Sequence, residues 1–480
     1  MSDSLIVQLP AIVMAGRKEA DEILERSKCG HAVSLQVNEY VFPLADSVAD
    51  MNGAASLGEW TNRLLYGDNL FLMEALLAGD VATGLPSMKG KIDLIYIDPP
   101  FASGASYRTT STVSDVGGES LMLEQRAYQD SWDDGMSGYL RMLCPRLFLM
   151  RELLSEKGSL IIHLDWHAVH YVKVLLDDIF GYDNFRNEIA WCYGGGGAPK
   201  KTYPKKHDLL LWYSKGSDWT FNRQFRPYTK GTLERGLTAV KGDKYALRKE
   251  GAGVDDWWAG KAVQKILSPT AHENLKFSTQ KPEGLLKRII NGHSNKGDLV
   301  ADFFCGSGTT GAVAEKLGRR WIMADASRLA FKLAYKRLLA QYSKPFISQA
   351  YKDPLPSIGR LKFENSVTRS SRGLDIIKVE LIDYHVEDLD SLFNSIKVSD
   401  QLQKLITDDP LNLIEYWMVD PDYDGKVFRS RWQFCRGRDL RVCREAEICV
   451  PEVEGVRKIF VKAVDVFGYE SRALVCEDGC

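Results

Sequence analysis

The 480-residue chain contains no apolar run approaching the roughly 18 residues that a membrane span needs. Its first residues, Met1-Ser2-Asp3-Ser4, lack the basic-then-apolar order of a secretion signal. These absences predict a cytoplasmic protein with no membrane partner. Cys-x-x-Cys is also missing. The nine cysteines are an odd number and lie far apart, which argues against a disulfide framework or a structural zinc site and fits reduced thiols. No repeat recurs at a period of about 20 to 50 residues. Neither charge sign dominates, since 62 Lys and Arg face 64 Asp and Glu, so any affinity for nucleic acid must come from a local patch. What is present is an ordinary globular composition, 45% hydrophobic and 26% charged, which excludes a disordered chain. At about 150 residues per domain the length predicts two or three domains.

Residues 1–56 show a helical pattern around Arg17 to Arg26 and an apolar alternating stretch from Val33 to Leu44, with no legible function. From residue 57 to 191 the pattern becomes strand and helix in alternation. A strand over Leu64-Leu65-Tyr66 turns at Gly67-Asp68-Asn69 into a helix over Leu70 to Leu77, and Ile92 to Ile97 forms a second strand. A helix over Tyr139 to Ser155, a strand over Ser159 to Leu164 and a helix over Ala168 to Phe180 follow. Such alternation predicts a mostly parallel sheet covered on both faces.

Residues 192–275 differ in composition, and between Cys192 and Gly251 there are 13 Lys and Arg against 5 Asp and Glu, interleaved with aromatics. Over 276–342 the alternation resumes, with a helix from Glu283 to Asn291, a strand from Leu299 to Phe304, a glycine turn, a helix from Gly311 to Leu317, a strand from Arg320 to Ala324 and a helix from Arg328 to Tyr342. Residues 343–480 begin with a Pro- and Lys-containing linker, Ser343 to Pro356, and end in alternating runs that predict a small β-rich domain.

Two motifs carry chemistry. The turn Gly306-Ser307-Gly308-Thr309-Thr310-Gly311 follows a strand and opens a helix, so its backbone N–H groups can meet a ligand. No Lys-Ser or Lys-Thr follows, which excludes a P-loop. A dinucleotide site fits the glycine spacing, with Asp325 19 residues after Gly306 placed for a ribose. Asp302, ahead of the glycines, is awkward beside a pyrophosphate and favourable beside an ammonium group. The second motif is Asp98-Pro99-Pro100-Phe101 at the end of an apolar strand. Two prolines remove two backbone donors, leaving carbonyls, a carboxylate and a ring. That set suits an exocyclic amino group, with Asp98 and the Pro99 carbonyl accepting its two N–H bonds while Phe101 stacks on the base.

Together, Asp98-Pro99-Pro100-Phe101 and Asp302-Phe303-Phe304-Cys305-Gly306-Ser307-Gly308 resemble the catalytic and cofactor motifs of amino-group DNA methyltransferases that use S-adenosyl-L-methionine. Their order, catalytic motif, then basic segment, then cofactor glycines, resembles the beta class and is similar to the modification subunits of type III restriction systems. Gly67-Asp68-Asn69-Leu70, the block Tyr139 to Trp191 and Thr279-Gln280-Lys281-Pro282-Glu283 extend the resemblance over roughly residues 60 to 342. Phe303 departs from it, since the family usually has proline there.

The resemblance implies a circularly permuted Rossmann-like methyltransferase fold with an inserted recognition segment. It implies that Asp302, Phe304, Gly306 and Gly308, with Ser307 and Thr309 in the same turn, hold the methionine part of the cofactor. Asp325 would take the ribose, Asp68 the adenine edge, and Lys281 and Pro282 the methionine end. Double-stranded DNA is the implied partner, contacted by Lys200, Lys201, Lys205, Lys206, Arg223 and Arg226 of the basic segment. A restriction or other defence-system subunit and a homodimer are compatible further partners.

Asp at the head of the tetrapeptide implies adenine N6 more often than cytosine N4. Methylation at cytosine C5 needs a thiolate, usually in a Pro-Cys pair, and the chain has none. His163, His167 and His170 have metal-like spacing but belong to different elements, so no metal site is expected. Adjacent Trp257 and Trp258 suit a loop anchor better than a base platform. Two readings of other classes remain, a catalytically silent DNA-binding protein and a nicotinamide-dependent oxidoreductase.

Overall fold

The computed structural model describes residues 4–476 except 31, 44–59, 81–82, 116, 196, 198, 237–246, 267, 269–270, 352–356, 358, 371–372 and 388–398. The centre is an eleven-stranded sheet. Its order across the sheet is Trp257–Trp258, Phe185–Cys192, His207–Ser214, Leu154–Leu164, Ile92–Ile97, Leu299–Asp302, Arg320–Asp325, Asn62–Tyr66, Phe346–Ala350, Gln36–Val41, Phe428–Ser430. The run from Leu154–Leu164 to Phe346–Ala350 is parallel throughout. His207–Ser214 and Gln36–Val41 close it with antiparallel pairings on either side.

Why the strands are apolar without alternation is visible in Ile92–Ile97. Ile92, Ile95 and Ile97 enter one core layer, with the helices Asn69–Ala78, Gly135–Leu153 and Val169–Phe180. Leu94 and Tyr96 enter the other, with Glu283–His293 and Arg328–Ala340. Both faces are dry, so every position but Asp93, near the strand start and bonded to Ser155 and the Leu299 N–H, is apolar. From Ile92–Ile97 the chain moves outward to Leu154–Leu164, and from Leu299–Asp302 it moves outward in the opposite direction to Arg320–Asp325. The crevice between the two central strands is therefore a topological switch point, the place where open α/β sheets bind ligands beyond the carboxyl ends of their strands. Asp98 and Asp302 stand at those two ends.

Three stretches differ from the sequence expectation. The helix near the N-terminus runs over Leu5–Lys28 and packs on Gly135–Leu153, and the alternating stretch after it supplies Gln36–Val41 to the central sheet. The stretch read as a linker contributes Phe346–Ala350, paired parallel to Asn62–Tyr66. A long hairpin, Ser106–Ser114 with Ser120–Gln129, lies between the catalytic tetrapeptide and the next helix. The C-terminal region is β-rich as expected, with a three-stranded and a four-stranded sheet and, among the described residues, the helix Asp400–Asp408. Phe428–Ser430 leaves it to join the edge of the central sheet.

Candidate active site

A cavity of about 320 Å³ opens at the switch point. Asp68, Asp98, Pro100, Lys281, Asp302, Phe304, Gly306, Ser307, Thr309 and Asp325 line it together, from segments more than 250 residues apart. Pro99, Phe101, Pro282 and Gly308 are not on its wall.

The cofactor side is built from two strand ends. Asp302 is 2% exposed, and its carboxylate accepts from the Phe304 N–H at 3.0 Å and the Thr310 hydroxyl at 2.5 Å. Burial raises it to about 7 against the opposing pull of those hydrogen bonds. Asp325 accepts from the N–H groups of Gly306 and Ser327, both at 2.8 Å, and burial raises it to about 6. Asp68 caps the helix Asn69–Ala78 through the Leu70 N–H and pairs with Arg146 at 2.6 Å. Asn69, given no role of its own by the sequence, ties that corner to the strand Leu299–Asp302 by donating to the Phe303 carbonyl at 2.7 Å and accepting from Arg146 at 2.6 Å.

The glycines answer to packing as much as to a ligand. Gly308 has φ +73, and a Cβ there would lie 2.8 Å from the Ala334 Cβ on the helix behind the turn. Gly311 is closed in by Met323. Gly308 thus brings the turn against the helix Arg328–Ala340. Gly306, at φ +51, faces the cavity beside Phe277.

On the catalytic side, Lys281 Nζ pairs with Asp98 Oδ2 and lies 5.5 Å over the Phe101 ring. Lys281 thus stands in the cavity wall as the charge partner of Asp98. Asp98 Oδ1 is buried and accepts no hydrogen bond. An acceptor left without a donor in the wall of a cavity is unfavourable until a ligand supplies one.

The loop after Asp98 is held by a residue that sequence reasoning missed. Asp130 is fully buried and accepts from three consecutive backbone N–H groups, Phe101 at 3.0 Å, Ala102 at 2.9 Å and Ser103 at 2.9 Å, and from the Ser103 hydroxyl. Ala102 takes φ +57 to present its N–H there. His163 backs the Phe101 ring, near-parallel at 6.1 Å, and bridges Tyr96 and Asp208. Burial pushes the Asp208 carboxyl up, but the hydrogen bond and charge of His163, with Lys281 and the Tyr193 hydroxyl, together outweigh it and the net shift is downward. His163 is thus engaged with Tyr96 and Asp208, and His167 with Asp165 on the following turn.

In the basic segment, Lys200, Lys201 and Lys205 are exposed, Lys206 reaches the Gly195 carbonyl, Arg226 pairs with Asp255 and Arg223 lies over Phe225. The six do not form one cluster. Trp258 is buried with its N–H on the Asp255 carbonyl, while Trp257 is 61% exposed, so the anchor reading holds for one indole of the pair.

Lys281 and Arg146, the basic side chains lining the cavity, are already paired with Asp98 and Asp68. Asp302 and Asp325 have no basic partner there. An anionic pyrophosphate would meet two uncompensated carboxylates, whereas the sulfonium and ammonium of S-adenosylmethionine would meet the charge they need. The donor set fits that group and disfavours a dinucleotide.

Fold and site therefore define a methyl-transfer enzyme of the Rossmann-like class. The family model described as DNA methylase, for N6 and N4 transfer, matches residues 92–336, and the chain belongs to that family. It is 31% identical over 281 residues to the type II methyltransferase M2.DpnII of Streptococcus pneumoniae, covering 55% of this chain and 90% of that one. It is 27% identical over 335 residues to the type II methyltransferase M.EcaI of Enterobacter cloacae, covering 58% and 69%. The solved complex of M1.HpyAVI with S-adenosylmethionine aligns with 57% of this chain and 98% of its own at 20% identity and a TM-score of 0.36. The protein is an S-adenosylmethionine-dependent, site-specific DNA methyltransferase acting on an exocyclic amino group. Among the described residues no helix is long and apolar enough to cross a membrane.

Proposed function

We propose that the amino group methylated is N6 of adenine, with Asp98 as the residue that grips it. The observation that carries the grip is the buried, donorless Oδ1 of Asp98 on the cavity wall. The choice of adenine rests on the Asp at the head of Asp98-Pro99-Pro100-Phe101, in the family resemblance commoner among adenine enzymes.

The target nucleotide leaves the duplex at a cost of a few kcal/mol, offset in part by stacking on Phe101 worth about 1–3 kcal/mol. Phe101 can serve as a platform because His163 supports its far side and Asp130 fixes its backbone. An exocyclic amino nitrogen is a weak nucleophile, its lone pair delocalised into the ring. Asp98 Oδ1 and the Pro99 carbonyl accept its two N–H bonds and favour a pyramidal nitrogen with the lone pair free. S-adenosylmethionine supplies an electrophilic methyl group when bound, and Asp302, Asp325 and Asp68 are the residues that would hold its cationic end, ribose and adenine. The chain contributes position and electrostatics, not a covalent nucleophile. The proton left on the alkylated nitrogen departs to Asp98 or to water.

Labelled S-adenosylmethionine and unmethylated DNA of mixed sequence, followed by nucleoside analysis, should yield label in N6-methyladenine. Label in N4-methylcytosine alone would refute the adenine assignment and leave the family intact.

A further inference from the structure

The catalytic strand and its neighbour share a register in which Ile97 faces Ile162, so Asp98 and His163 stand at one level. Three residues further along the neighbour, past the end of the sheet, is Trp166. Its side chain is 47% exposed, whereas the residues on either side of the turn fold back. Exposed indoles are not rare, but this one is held in place. Lys205 Nζ lies 3.2 Å from its ring centroid, and the His167 ring lies against it at 3.7 Å, tilted by 33°. His167 is itself fixed by Asp165, through Nδ1 at 2.7 Å and its backbone N–H at 2.9 Å. The strand His207–Ser214, antiparallel to the Trp166 strand, pairs Leu209 with Leu164, so Lys205 arrives at that same sheet end from the basic segment.

We infer that Trp166 is a DNA-stacking residue, inserted against the bases beside the nucleotide drawn into the Asp98 site. Charge complementarity selects the occupant: Lys205 and the indole that it covers are both exposed, and a polyanion with flat apolar faces can draw the ammonium onto a phosphate and leave that face of the ring to a base. The phosphate contacts would set position, and Trp166 would replace stacking lost when a base leaves the helix, as apolar side chains do in duplexes with a disrupted step. A fixed indole loses little freedom on binding. The inference rests on the amino-methylation reading, because it needs an extruded base.

The test uses the full chain with a duplex carrying 2-aminopurine at the target position. Trp166→Ala should weaken DNA binding and raise the DNA KM at least 10-fold and lose most of the fluorescence rise that reports extrusion. Its S-adenosylmethionine affinity should stay within twofold. Trp166→Phe should restore part of both DNA readouts, which a merely structural role would not do, and Lys205→Ala should steepen neither loss but lower the salt dependence of binding. Trp166→Ala with DNA affinity, KM and fluorescence within twofold of wild type overturns the inference. Absence of methyl transfer by the wild type would instead overturn the underlying function, so the two failures are distinct.

Discussion

Two carboxylates at the cofactor end are raised by burial, Asp302 to about 7 and Asp325 to about 6. A cation entering the cavity favours their ionised forms. Below these values each must release a proton on binding, and above them it is already charged, so S-adenosylmethionine affinity should rise with pH up to about 7, more steeply below about 6 where both start protonated, by up to about tenfold per unit for each proton released. Calorimetric titrations in buffers of different ionisation enthalpy would show the proton release. Asp302→Asn should bind the cofactor more weakly and with a shallower pH slope; a dissociation constant flat across that window would contradict the electrostatic account. On the catalytic side, Asp98→Ala removes the acceptor and should lower the transfer rate by about 100-fold or more while S-adenosylmethionine still binds. Asp98→Asn, which keeps the volume, separates the lost charge from lost packing. Single-turnover kinetics with bound cofactor is the measurement.

At the scale of elements, two loops owe their shape to contacts that a substitution can remove. Asp130→Asn keeps an oxygen but sets an amide against some of the N–H groups of Phe101, Ala102 and Ser103. The displaced platform should lower kcat by up to about 100-fold, with the S-adenosylmethionine KM little changed. Unchanged kcat would mean that the loop holds itself. Gly308→Ala meets both the positive φ and Ala334, so the turn and the helix Arg328–Ala340 must part; a loss of about 1–3 kcal/mol is expected in urea unfolding. The hairpin Ser106–Ser114 with Ser120–Gln129 joins these elements to the C-terminal region. Val113, Leu121 and Leu123 bury against its core, and Gln125 donates to the Val466 carbonyl at 3.0 Å.

Across the whole molecule the first and last segments of the chain are bound by a buried ionic group. Lys462 pairs with Glu39 at 3.0 Å and Glu470 at 2.7 Å, all three nearly without solvent. Desolvation opposes the charge on Lys462, and the two carboxylates reverse that, so its net shift is upward. Lys462→Ala leaves the buried Glu39 uncompensated and Glu470 with Arg472 alone, and should destabilise the fold by about 3–5 kcal/mol. Replacement of the three together by apolar residues of like volume should recover most of that loss, as read by denaturant midpoints. These contacts make the N-terminal strand, the central sheet and the C-terminal sheets a continuous body, which the sequence divided into five segments.

The sequence by itself determined the parallel sheet, the two motifs and their order, because strands buried on both faces are apolar nearly throughout and because prolines and glycines mark strand exits locally. It left the strand Phe346–Ala350 hidden in a polar-looking stretch, since Ser348 and Gln349 are polar residues buried between two neighbouring strands, Gln349 accepting from Arg63. Only the tertiary structure decided that Lys281 belongs to Asp98, 183 residues away, that Asp130 pins the platform, and that Gly308 serves a helix behind the turn. An acidic or basic side chain looks the same in sequence whatever faces it; its partner is chosen by the way the layers close, and the chemistry of the site is the sum of those choices.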